Sequence, residues 1–273
     1  MTPLHVYGID FTSAPGPRKP ITCAHATLTG DLLTFEHLHR WTEFDTFERH
    51  LRSDGPWITG IDSPFAQSER LVRALDWPES WSGYVRLCGA LERKEFRSVL
   101  TEYRNQQPAG QKHHKRVCDV RANSQSPQTI DYTPVGLMFH EVAPRLLRTG
   151  VHVPVLQESG SDRVVVEAYP GLLVRTLIGK SPYKSDTPAK QSKTQARVRR
   201  DLLGSLLEGA CRAQYGFDLE APMKLADDPS GDELDALLCA IQAAWAWGQR
   251  SARYGTPTNA NPLEGWISDP ALT

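Results

Sequence analysis

Apolar positions along the chain follow two periods. Short runs rich in β-branched and aromatic residues predict strands over 5–10, 21–28, 32–38, 57–62 and 164–167. Thr29-Gly30-Asp31 joins the second and third as a hairpin. Spacing of three and four predicts helices elsewhere. Phe44, Phe47 and Leu51 mark the first, and 68–75 and 91–103 two more, with a polar loop over 105–129. A helix over 135–149 contains Pro144, which predicts a kink or break. Val198, Leu202, Leu203, Leu206, Leu207, Ala210 and Cys211 form one face of a long helix over 190–214. The last long helix covers 231–248, and Trp266-Ile267 in the tail 259–273 are expected to pack back onto the body. The order β, β, β, α, β, a largely helical insertion at about 66–160, then β and helices predicts a single α/β domain over 1–273.

Three of these strands end in an acid: Gly8-Ile9-Asp10, Gly60-Ile61-Asp62-Ser63-Pro64 and Val166-Glu167-Ala168-Tyr169-Pro170. A carboxylate in a buried strand needs a partner. For Asp10 that partner is either the amides of Thr12 and Ser13, as in many Asp turns, or a cation shared with the other acids. In an open α/β sheet ligands bind beyond the strand ends, where such acids can converge and repel each other unless a cation sits among them.

The final helix adds two more acids. Asp232 and Asp235, three apart, project from one side of its first turn, and that side continues through Ala236, Cys239, Ala243 and Ala246. Small residues there allow close approach to a sheet. The other side is Leu234, Leu237, Leu238, Ile241 and Trp245. First-turn acids also favour the helix dipole by about 0.3–1 kcal/mol, and for Asp232 this reading stands level with a functional role. Asp235 lies deeper, in apolar surroundings, and is read as functional.

Composition narrows the class without naming a partner. The 273 residues carry a formal net charge of −1, so contact with nucleic acid requires local basic patches. Lys180, Lys184, Lys190, Lys193, Arg197, Arg199 and Arg200 form one, with Lys184 and Arg197 the candidate substrate-binding residues; Lys112, Lys115, Arg116 and Arg121 form another. A solvated surface is the alternative for both. Five widely spaced cysteines with no C-x-x-C pair read as reduced thiols. His113, His114 and Cys118 lack zinc-ligand spacing and read as a solvated basic loop. With no charged start leading into an apolar run and no stretch of about 20 apolar residues, a cytoplasmic protein without membrane contact is expected.

Gly8-Ile9-Asp10, Gly60-Ile61-Asp62-Ser63-Pro64, Val166-Glu167-Ala168-Tyr169-Pro170 and Asp232-Glu233-Leu234-Asp235-Ala236-Leu237, followed by Glu264-Gly265-Trp266-Ile267, resemble in order the predicted nucleases known as domain of unknown function four-two-nine, in the ribonuclease H-like superfamily. The resemblance implies a mixed five-stranded sheet whose first three strands are antiparallel, with acids of the first strand, fourth strand and last helix binding divalent metal. Ribonuclease H enzymes place another acid on the first helix, where this chain offers Glu48 without an assignable role.

The implied chemistry is two-metal phosphodiester hydrolysis by Mg²⁺ or Mn²⁺ ions about 3.5–4 Å apart. Asp10 is the expected bridging ligand, with Asp62 and Asp235 flanking it and Glu167 and Asp232 as further catalytic candidates. A non-catalytic nucleic-acid or metal-binding protein on the same scaffold is the alternative. An actin-like ATPase fits less well, because no second glycine-rich phosphate loop is present.

Overall fold

The computed structural model describes residues 2–273. Its centre is a six-stranded mixed sheet. In chain order the strands are β1 (Leu4–Asp10), β2 (Ile21–Thr29), β3 (Leu32–Trp41), β4 (Trp57–Asp62), β5 (Arg163–Ala168) and β6 (Asp218–Glu220). They lie in the order β5-β4-β1-β2-β3-β6. β1, β2 and β3 are antiparallel, whereas β4 and β5 continue parallel to β1 and β6 runs parallel to β3.

The sixth strand corrects the expected count of five. β6 has three residues, of which Leu219 alone is buried, and so short a strand leaves no period in the sequence. It pairs with Leu32, Leu33 and Thr34 at the sheet edge.

The helices are α1 (Phe44–Leu51), α2 (Glu69–Ala74), α3 (Trp81–Ala90), α4 (Arg93–Gln106), α5 (Val117–Arg121), α6 (Val135–Thr149), α7 (Pro170–Ile178), α8 (Lys193–Ser205), α9 (Cys211–Tyr215) and α10 (Asp232–Gly248). Strand alternation divides the apolar residues of the sheet between two layers. Val6, Ile58, Val164 and Val166 face α10, whose large side (Leu234, Leu237, Leu238, Ile241) packs in the same core as Leu202, Leu203 and Tyr215 of α8 and α9. On the reverse face Ile9, Ile61 and Val165 share a core with Phe47 of α1 and with Tyr84, Phe96 and Phe139 of α3, α4 and α6. The helices between β4 and β5 therefore complete that second layer.

Three local expectations change. α6 runs unbroken through Pro144; Gly89 of α3 packs on the proline, since a Cβ at Gly89 would lie 2.9 Å from Pro144 Cβ. The helix expected over 190–214 is two, because Gly209 adopts φ 115° and kinks the chain between α8 and α9. The supposed polar loop over 105–129 contains α5, with His114, Arg116, Cys118 and Asp119 all buried. His114 Nε2 lies 2.7 Å from the Tyr103 hydroxyl, so this stretch is not a solvated basic loop. All five cysteines are buried free thiols. The tail packs back as expected: Ile267 bridges Glu167 in parallel, and Ser268 N donates to the Glu167 carbonyl at 2.8 Å. Among the described residues no helix is long and apolar enough to cross a membrane.

Candidate metal centre

β1 and β4 are parallel and in register, pairing Gly8 with Gly60 and Asp10 with Asp62. Side chains two apart on a strand share a face, so each aspartate stands on the α10 side, just beyond a glycine. Those glycines set the helix distance. A Cβ at Gly8 would lie 2.0 Å from the Ala236 carbonyl oxygen, and one at Gly60 2.4 Å from that of Cys239. α10 thus rests directly on sheet backbone, and Asp235, one residue before Ala236, is carried to the strand ends. One carboxylate oxygen from each of Asp10, Asp62 and Asp235 lies within 4.8 Å of the other two. Asp10 and Asp235 are buried, and Asp62 is partly exposed.

Asp10 does not cap its turn. Among the described residues neither the Thr12 nor the Ser13 amide donates to it; instead Ala14 N donates to Thr12 Oγ1 at 3.4 Å. The cluster is balanced by ammonium groups. Lys184 Nζ donates to Asp235 Oδ2, and the Tyr183 hydroxyl donates to Asp235 Oδ1 at 2.7 Å. Burial, above all, pushes the Asp10 carboxyl well above its usual range; Lys184 and Lys19 oppose this, while Asp232 and Asp235 reinforce it. Burial likewise pushes Asp62 up to about 7. Burial alone would lower the Lys184 ammonium, but Asp235, Tyr183 and Asp10 outweigh it and hold it well above its usual value.

The other two acids have counter-ions of their own. Asp232 is buried beside them, but its two oxygens accept from Lys19 Nζ at 2.8 and 2.9 Å. Glu167 pairs with Ile61, not with Asp62, so its side chain leaves the opposite face of the sheet. There the Arg116 guanidinium donates to it at 2.6 and 2.8 Å and the Phe65 amide at 3.1 Å. Arg116 also donates to Asp119 at 2.8 and 2.9 Å. It is thus a buried counter-ion, not part of an exposed basic patch. Glu48, on α1, pairs with Arg52, Arg145 and Arg148 on that same reverse side.

Of the basic stretch 180–200, Lys184 reaches the cluster, at Asp235. Arg199 is buried and donates to the Ala226 and Tyr183 carbonyls, which fixes the segment bearing Tyr183 and Lys184. Arg197 is exposed on α8, 3.6 Å from Asp201. A cavity of about 310 Å³ opens beside the cluster, lined by Asp62, Asp235, Tyr183, Lys184, Ser124 and Met138 among others.

The model of the family described as protein of unknown function (DUF429) matches residues 8–259, a span holding all three acids. The chain belongs to this family. No curated protein and no solved structure matches it. The DUF429 description carries no activity. Sequence reasoning missed Tyr183 and Lys19 as partners of these acids, and read Arg116 as part of a basic patch rather than as the counter-ion of Glu167. Tyr183 and Lys19 stand in loops without period. Arg116 did leave a signal, because Arg116 and Asp119 are three apart around Cys118, the spacing of an ion pair on one helical turn.

Proposed function

We propose that the chain is a divalent-metal-dependent nuclease that hydrolyses phosphodiester bonds on a ribonuclease H-like fold. The observation that carries this reading is the convergence of Asp10, Asp62 and Asp235 within 4.8 Å. The strand order β3-β2-β1-β4-β5, three antiparallel strands followed by two parallel ones, supports the fold, with β6 an addition at the edge. The donor set fits the group it would hold: three carboxylates and no sulfur or nitrogen ligand suit Mg²⁺ or Mn²⁺ rather than zinc. The contact of Lys184 with Asp235 supports the same reading, since a cation is already required there. Bound metal would orient water and stabilise the leaving oxygen.

The chain's own residues have separable tasks. Asp10, in register with Asp62 and near Asp235, would supply the central oxygen ligand. Tyr183 keeps Asp235 oriented, and Lys19 pairs with Asp232. Lys184 lines the adjoining cavity, where its ammonium would pair with a phosphate. Arg197 and the lysines near it contribute backbone contacts that carry no sequence information.

The Lys184–Asp235 pair also favours a second reading, in which ammonium replaces metal permanently and the protein binds nucleic acid without cutting it. Labelled single-stranded, duplex and branched DNA and RNA, offered with Mn²⁺ or Mg²⁺, separate the two. Metal-dependent cleavage that EDTA abolishes and that Asp10→Asn lowers at least about a hundredfold supports the nuclease. Binding that is unchanged by EDTA, with no cleavage of any substrate, supports the scaffold.

A further inference from the structure

A second group of ligand atoms lies on the other face of the sheet. His25 on β2 and His37 and His39 on β3 each place one ring nitrogen within 4.8 Å of the other two. Their Nε2 atoms are 3.0 Å apart for the pair His37 and His39, and the His25 and His37 ring centroids are 4.8 Å apart. His25 stacks on Tyr7 with centroids 4.6 Å apart and planes 13° apart, and His39 stacks on Trp41. The rings are therefore held by neighbours, while His37 itself is exposed and open to solvent.

This grouping depends on a break in register. β2 and β3 pair as Ala26 with Phe35 and as His25 with His37, so Glu36 is an extra residue in β3. A shift of one residue moves every following side chain to the opposite face. Without Glu36 as a bulge, His37 and His39 would fall on the α10 side with Phe35, away from His25. The bulge is what assembles three imidazoles on one face.

We propose that His25, His37 and His39 form a second metal site, for a borderline transition cation such as Zn²⁺. Three imidazoles are the ligand set of open zinc centres, which leave the fourth position to solvent or a further ligand, and tetrahedral geometry places such nitrogens ~3.3 Å apart. One pair of the observed nitrogens is 3.0 Å apart and all three lie within 4.8 Å of one another, which brackets that spacing. His5 Nδ1, 3.0 Å from His25 Nε2, is the nearest further ring nitrogen and the group placed to orient His25. The site is independent of the three aspartates, which lie across the sheet and offer oxygen alone.

The test is a titration of the metal-stripped full chain with Co²⁺, whose visible absorption reports nitrogen ligands in a low-coordinate site. The wild type should develop that band with one Co²⁺ per chain, and Zn²⁺ but not Mg²⁺ should abolish it. His37→Asn, at an exposed position, and His39→Gln should each weaken binding at least ~10-fold, whereas Asp10→Asn should leave it intact. Absence of the band in the wild type, its persistence at full affinity in both histidine variants, or its loss in Asp10→Asn instead would each overturn the proposal.

Discussion

Gly8 and Gly60 decide how near α10 comes to the sheet, and so whether Asp235 meets Asp10 and Asp62 at all. Gly8→Ala places a methyl 2.0 Å from a backbone carbonyl that cannot rotate away. Overpacking of this kind costs about 1–3 kcal/mol or more, and the helix can relieve it only by moving off the strand ends. Gly8→Ala is therefore expected to lower the urea midpoint and also to weaken Mn²⁺ binding in calorimetry; unchanged affinity would separate the helix seat from the site. At this scale the sequence was informative for a reason of geometry. Gly-x-Asp repeated on two strands places a small residue and an acid on the same face, and the register of β1 with β4 sets the two pairs side by side. Glu167 shows the limit. Its strand also ends near an acid, but offset by one residue, and offset by one means the opposite face. Pairing register is not written in a single strand, so Glu167 could not be told from Asp62 by sequence pattern.

Among elements, the segment between α7 and α8 closes the site. It brings Tyr183 and Lys184 onto Asp235, and Gly231, at φ 80° before α10, leaves room for the Lys184 stem. If ammonium and metal compete for Asp235, Lys184→Ala should destabilise the protein in EDTA, where it strands a buried carboxylate, and should gain more from Mn²⁺ than wild type does. Thermal melts with and without Mn²⁺ check this; a smaller gain in the variant would mean that Lys184 helps to hold the metal instead. The long periodic elements were legible: α10 with its small face, the β2–β3 hairpin and the first, second and fourth helices in their approximate places. What escaped were elements lacking a period of their own. β6 is three residues long, α5 sits among basic residues that tertiary contacts bury, and the kink at Gly209 rests on one backbone angle inside a continuous apolar stripe. The bulge at Glu36 escaped similarly, because it exists only in the pairing of two strands.

For the whole molecule, two sets of desolvated groups give pH profiles of opposite sign. Asp62 is raised from an ordinary 3.8 to about 7 by burial, so its contribution to stability is complete below about pH 4 and is lost as pH rises through about 7. His25 is lowered from 6.5 to about 4 and His50 to about 3, again by burial first, so their contribution is complete above about pH 6.5 and is lost as pH falls toward 4. Between about pH 4 and 6.5 the slopes oppose each other in metal-free wild type. Asp62→Asn removes one of them, and its urea midpoint in EDTA is expected to rise with pH across that window more steeply than that of wild type; parallel profiles would contradict a desolvated Asp62. The acids that produce this strain are the same ones proposed to bind metal, and thermal melts of wild type and Asp10→Asn, in EDTA and in saturating Mn²⁺, near neutral pH, read both roles at once. Asp10→Asn relieves repulsion and nearly keeps shape. It is predicted to be at least as stable as wild type in EDTA and to gain little from Mn²⁺, whereas wild type gains about 2.7 kcal/mol at a hundred times its dissociation constant. Equal gains in both proteins, or a metal-free Asp10→Asn destabilised by more than about 2 kcal/mol, the scale of a lost buried hydrogen-bond partner, would contradict the account and make Asp10 a structural residue.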